Sequence, residues 1–179
     1  MAESGLSNGV DQAVVADLPL ADGATQRVLY AAPSIPARGT IVMFPGGTGM
    51  IDIGKDGHIR HPDNFLVRTR DAWLHRGYGV VLVDALGRSS LRGVRSTPEY
   101  ARVTQAVVRF AKQQGKAPVW VMGTSQGSIA AMNAAAHDSS GDIVGVILTE
   151  SVSILGGSRE TVFDAHPQDV HVPALVVAN

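Results

Sequence analysis

From Gly39 onward the chain alternates short, almost continuous apolar runs with segments whose apolar residues recur at helical spacing. The runs are GTIVMF (39–44), YGVVLVD (78–84), APVWVM (117–122), DIVGVILTE (142–150) and VHVPALVVA (170–178). A strand this uniformly apolar has no face to turn to water. It belongs in a parallel sheet with helices packed on both sides, so the expected fold class is α/β with a mostly parallel, doubly wound sheet.

The intervening segments supply the helices. Asn64 is placed to cap one that runs to about Arg76, with Phe65, Trp73 and Leu74 among its apolar positions and Gly77 as its stop. Thr97 and Pro98 open a second, in which Val103, Val107, Phe110 and Ala111 repeat before Gly115. An alanine-rich third follows Ser125. Ahead of these, QAVVADLPL and TQRVLYAA flank Ala21-Asp22-Gly23 and predict an antiparallel hairpin. With 179 residues, 45% of them hydrophobic, the expectation is one domain over residues 1–179 that buries about 70% of its unfolded surface.

Fifteen basic and sixteen acidic residues, spread without a block of one sign, leave a formal charge of -1. That is no electrostatic footprint for nucleic acid or an anionic membrane, so the expected partner is a small or polymeric neutral substrate. The absence of cysteine excludes a disulfide framework, thiolate zinc sites and a cysteine nucleophile. The opening MAESGLSNGVDQ has neither a basic start nor an apolar run, and no stretch of about 18 apolar residues occurs, so neither a signal peptide nor a membrane span is expected and the compartment stays open.

The chemistry concentrates in VMGTSQGS (121–128), at the junction of an apolar strand and a helix. In G-x-S-x-G the serine sits on a sharp, strained turn, and Gly123 and Gly127 let strand and helix approach closely around it. A serine so exposed needs a base and donors for the oxyanion that forms on attack. The N–H of Gln126, at the helix N-terminus, is one such donor. The plain alternative is that Ser125 caps the helix and the glycines only make a turn. Against it stands FPGGTG (44–49), which ends an earlier strand where a second donor is needed.

These segments resemble the α/β-hydrolase family: GTIVMFPGGTG matches the oxyanion strand and loop, RGYGVVLVDALGRSS the next strand with its terminal Asp84, VMGTSQGS the nucleophile elbow, and VPALVVAN the strand that precedes the acid. The matching order runs from about Gly39 to Asn179. The resemblance implies Ser125 as nucleophile and the backbone N–H groups of Gly47 and Gln126 as the oxyanion hole. Pro45 stands where many members have histidine, which leaves Gly47 or Thr48 as the donor on that side. The implied activity is cleavage of a carboxylic ester or related acyl bond through an acyl-serine intermediate, with no metal or organic cofactor called for. A non-catalytic hydrolase-like scaffold is the alternative.

In this family the acid and then the histidine follow the nucleophile, the acid usually in the loop after the strand matched by VPALVVA. That register puts both beyond residue 179 and predicts a sheet of this type lacking its last strand and helix, completed by a C-terminal companion segment. Glu150, His166 and His171 are the candidates within the chain, with solvent-exposed loop histidines as the simpler account of the latter two.

Other patterns mislead. Gly49 to Asp56 nearly spells a P-loop, but Asp56 replaces the magnesium-binding hydroxyl, and Gly57 and Pro62 prevent the helix that must follow. Gly47-Thr48-Gly49 starts a dinucleotide fingerprint that Asp52 breaks. His58, His61 and Asp63 carry metal-ligand chemistry without a spacing that sets a site, and read as a polar loop beside the cleft. Arg60, Arg68 and Arg70 read as a solvated face, Met122 and Met132 as core, and Asp84 as a hydrogen-bonding partner for the loop after its strand.

Overall fold

The computed structural model describes residues 13–115 and 117–178. Residues 1–12, Lys116 and Asn179 lie outside the described residues, and with them the opening segment and the Gln12 end of the expected hairpin.

Seven strands form one sheet: β1 (Ala13–Pro19), β2 (Thr25–Ala31), β3 (Gly39–Phe44), β4 (Tyr78–Val83), β5 (Val119–Thr124), β6 (Ile143–Thr149) and β7 (Ala174–Val177). Their spatial order is β1-β2-β4-β3-β5-β6-β7. β1 and β2 form the expected antiparallel hairpin, and β2 also runs antiparallel to β4. Every other pairing is parallel, which requires crossover connections. Three α-helices serve as crossovers, α1 (Phe65–His75), α2 (Pro98–Gly115) and α3 (Gly127–Ala136), while β6 reaches β7 through a segment with only short 3-10 turns.

The period-two alternation of the strands divides the core. Leu29, Ile41, Met43, Val80 and Leu82 face one side with Leu66 and Leu74 of α1. Val28, Val42, Val81, Val121 and Val146 face the other, against Val107 and Val108 of α2 and Ile129 of α3. Met122 and Met132 are buried, one in each cluster.

Local chemistry sets the helix ends. The Asn64 side chain accepts from the Leu66 N–H at 3.1 Å. The Thr97 hydroxyl accepts from Tyr100 N–H at 3.2 Å, just ahead of Pro98, whose missing N–H costs nothing at a helix start. α3 is buried from Gly127 through Ala135. Its alanines suit a helix enclosed on all sides, which is narrow and mostly apolar, and its buried Ser128 and Asn133 are hydrogen-bonded.

The final strand departs from expectation. VHVPALVVA forms a strand only over Ala174–Val177, and those four residues are exposed on both faces. Leu175, Val176 and Val177 are 58%, 59% and 48% exposed. β7 pairs with β6 on one side, and no strand pairs its other edge among the described residues.

Candidate active site

Ser125 has a φ of 50°, in the left-handed region that a side chain adopts only under local compulsion. The compulsion is packing. A Cβ on Gly123 would overlap the Gly127 carbonyl, and a Cβ on Gly127 would overlap the Phe44 carbonyl and stand 2.8 Å from the Pro45 oxygen. Strand β5, helix α3 and the end of β3 are in backbone contact here, and the turn must bend sharply. The Ser125 N–H donates to Thr149 O at 2.9 Å, and its carbonyl accepts from the Ser128 N–H at 2.9 Å and the Ser128 hydroxyl at 2.6 Å. Backbone bonds on both sides hold the residue while its side chain stays half-buried.

The loop after β3 lies directly against this turn. A Cβ on Gly46 would stand 2.9 Å from the Thr124 oxygen and 3.3 Å from the Ser125 Cβ. Gly49 N–H closes a tight turn onto Gly46 O at 3.1 Å, with Gly47 at a φ of 59°. Among the described residues, the N–H groups of Gly47, Thr48 and Gln126 have no backbone acceptor. Gln126 forms the N-cap of α3 without a side-chain cap, so the positive end of that helix opens beside Ser125.

The candidate partners separate clearly. Glu150 follows β6 at the position matching Ser125 after β5; it is exposed, and its φ of 51° is left-handed too. His166 stacks edge-on against His137, ring centroids 5.8 Å apart. His137 caps the C-terminus of α3 whereas Ser125 precedes its N-terminus, a separation of about 15 Å at the helical rise. His171 precedes β7 at the amino end of the parallel strands, the edge opposite Ser125. Neither loop histidine is placed to take the serine proton.

Several supporting residues were not foreseen in the sequence. Asp84 was expected to bind the loop that follows it. It does accept from Ala85 N–H, but its carboxylate mainly gathers the N–H groups of Ile51, Asp52 and Ile53 at 2.8 to 3.2 Å, clamping the segment beyond the glycine loop. Arg95 is fully buried and donates from Nη2 to Pro45 O at 3.2 Å. Burial pulls its guanidinium below the ordinary value, opposed by the neighbouring Tyr100 and Glu160. Burial likewise pushes the Tyr100 hydroxyl up to about 12. Glu160, equally hidden, accepts the N–H groups of Gly93, Arg95 and Ser96 and the Ser96 hydroxyl. These residues stand 31 to 67 positions from one another or from the loop they hold, and no spacing rule reaches that far.

The misleading motifs resolve into loop structure. Ile53 and Ile59 form a bridge, and Gly54 N–H donates to His58 O at 2.7 Å, so no helix follows the near-P-loop. His61 faces Asp52 at 3.4 Å, and among the described residues no three metal-ligating side chains converge. A hollow of about 410 Å³, lined in part by Leu86, Leu91, Val94 and Tyr100, lies behind the glycine loop. Leu91 joins the two, its N–H donating to Thr48 O at 2.9 Å.

The mostly parallel seven-stranded sheet with its helices is the α/β-hydrolase fold, and solved structures agree. The chain is similar to XC6422 from Xanthomonas campestris, described as an α/β serine hydrolase without a lid, at 17% identity over 93% of this chain and 71% of that one, with a TM-score of 0.63. It is similar to the Pyrococcus furiosus esterase Pf2001 at 14% identity, covering 78% of this chain and 49% of the esterase, with a TM-score of 0.61. The Pyrococcus horikoshii acylaminoacyl peptidase matches at 14% identity and a TM-score of 0.64, over 94% of this chain but 32% of that enzyme. The chain thus spans less than half the length of two of these three proteins. No family model and no curated protein matches the sequence.

Proposed function

We propose that this protein is a serine hydrolase that cleaves a carboxylic ester or related acyl bond through an acyl-Ser125 intermediate. One observation carries the reading: Ser125 is held left-handed between two glycines that admit no side chain, with Gly46 packed against it. Strain of about 1–3 kcal/mol persists at a site when the surroundings enforce it and function uses it.

In the proposed reaction the Ser125 Oγ attacks the acyl carbon and its proton passes to a base. The negative charge that collects on the acyl oxygen is met by the N–H groups of Gly47 and Gln126, strengthened by the α3 dipole. Collapse breaks the bond to the leaving alkoxide, which takes the proton from the base. Water then repeats the sequence, releasing the acid and restoring the serine. Each oxyanion donor is worth roughly 10²- to 10³-fold in rate.

The base and its acid are proposed to come from a companion segment that pairs with the open edge of β7. Supporting this are the bare faces of Leu175, Val176 and Val177, which an aqueous edge strand does not sustain, and the greater length of the similar structures. The short interval between Ser151 and His171 leaves no room for a large lid domain, which favours an open cleft.

A fluorophosphonate probe tests the reading on the full-length protein. Labelling that disappears in Ser125→Ala supports the enzyme; an unlabelled wild type, properly folded, overturns it in favour of a non-catalytic scaffold.

A further inference from the structure

Arg95 presents an anomaly that the proposed chemistry does not use. Its side chain is wholly hidden from solvent, yet no carboxylate among the described residues lies within salt-bridge distance of the guanidinium, and Nη1 has no hydrogen-bond partner. The nearest acid, Glu160, has its oxygens committed to the N–H groups of Gly93, Arg95 and Ser96 and to the Ser96 hydroxyl. Burying a cation without an ion pair is strongly unfavourable, and an apolar side chain of similar volume would serve the core better. Stability alone does not account for this residue.

Its contacts point elsewhere. Nη2 donates to the Pro45 carbonyl at 3.2 Å and stands 3.0 Å from where a Cβ on Gly49 would lie, so the guanidinium touches both ends of the glycine loop. The Arg95 backbone is pinned independently. Its carbonyl accepts from Asn133 Nδ2 at 2.8 Å, and Asn133 is on α3, the helix that begins two residues after Ser125. Its N–H enters the Glu160 carboxylate. One residue therefore joins the loop that carries the expected oxyanion donors to the helix that follows Ser125.

We infer that Arg95 is a positioning residue for the oxyanion side of the site, its buried guanidinium fixing the Pro45 carbonyl so that the Gly46–Thr48 amides keep their orientation toward Ser125. A hydrogen bond at the Pro45 carbonyl resists rotation of the plane it shares with the Gly46 N–H, and the turn closed by Gly49 N–H on Gly46 O carries that constraint to the amides between. The charge adds a second effect. In a water-poor interior a fixed cation beside those amides favours the negative oxygen of the transition state over the neutral ground state. The inference rests on the serine-hydrolase reading and deepens it.

The test uses full-length protein, 4-nitrophenyl butyrate turnover and fluorophosphonate labelling. Arg95→Met is expected to lower kcat on the order of 10²-fold while KM stays within about twofold, because the contact acts on the transition state. In Arg95→Ala, millimolar guanidinium ion is expected to restore kcat by about tenfold, which a purely structural role does not produce. If Arg95→Met does not fold, Arg95→Lys decides: its ammonium keeps the charge but lacks the planar fork, and about a tenfold fall in kcat at unchanged KM is expected. A labelled wild type with Arg95→Met or Arg95→Lys equally fast overturns this inference alone. An unlabelled wild type overturns the hydrolase reading and this one with it.

Discussion

Ser125 and Glu150 occupy matching positions past the ends of neighbouring parallel strands, and both are left-handed, at φ of 50° and 51°. Thr124 pairs with Thr149 one residue earlier, and the Ser125 N–H donates to the Thr149 carbonyl. Two adjacent strands thus end in the same strained bend. Left-handed non-glycine residues cost on the order of 1 kcal/mol each, so Ser125→Gly and Glu150→Gly are each expected to raise stability by about 1 kcal/mol. Glu150→Val, a branched residue in the same bend, is expected to lower it by about 1–2 kcal/mol. Urea denaturation of the three variants checks this; equal stability of the glycine and valine variants at position 150 would show that no strain is stored there.

Gly123 and Gly127 have no such latitude. A methyl group at either meets backbone carbonyls, which do not move aside as a flexible side chain does. Gly123→Ala and Gly127→Ala are each expected to cost at least about 3 kcal/mol, against under about 1 kcal/mol for an alanine at an exposed loop position. Expression level and thermal midpoint measure the difference.

Asp84 is a clamp for the segment beyond the glycine loop, its two oxygens serving four backbone N–H groups. Asp84→Asn removes the charge and turns one acceptor into a donor facing N–H groups. An expected loss of about 2–3 kcal/mol follows, with faster proteolysis in the 50–60 segment. Limited proteolysis with mass spectrometry locates the cut, and cleavage confined to another segment would reject the clamp.

The Arg27–Asp17 pair across the hairpin offers a pH test. The Arg27 hydrogen bond holds the Asp17 carboxyl below its usual value of 3.8. A carboxylate depressed by folding stabilises at pH above its unfolded value, and that stabilisation disappears as pH falls through the lower, folded value. The Asp17 pairing is therefore expected to give wild type at most about 1 kcal/mol over Arg27→Ala at pH 7, since the pair is solvent-screened, and the gap should narrow below pH 3.8, leaving the Arg27 Nη1 bond to Ile53 O. Urea denaturation at the two pH values, with salt held constant, gives the comparison.

What could be foreseen followed from local and periodic effects. Apolar runs with no polar face could only be parallel strands, and the helix at 65–75 was announced by the Asn64 cap and closed by Gly77. The bend at Ser125 was legible because a tight strand-to-helix crossing needs glycine at fixed offsets from its central residue. Strand β7 was overestimated, since Val170 to Pro173 match its composition but turn across the surface before pairing begins at Ala174.

The sequence by itself determined the α/β layering, the hairpin, the helix boundaries and the location of the serine bend, because backbone sterics and burial act over a few neighbouring residues. Only the tertiary structure decided that Gly46 lies against Ser125, that Glu150 shares its bend, and that His166 sits at the far end of α3. It also decided that Arg95 grips Pro45, fifty residues away in the chain. Such contacts arise where strand order brings distant loops to one edge of the sheet, and strand order is set by the packing of the whole domain rather than by any stretch within it.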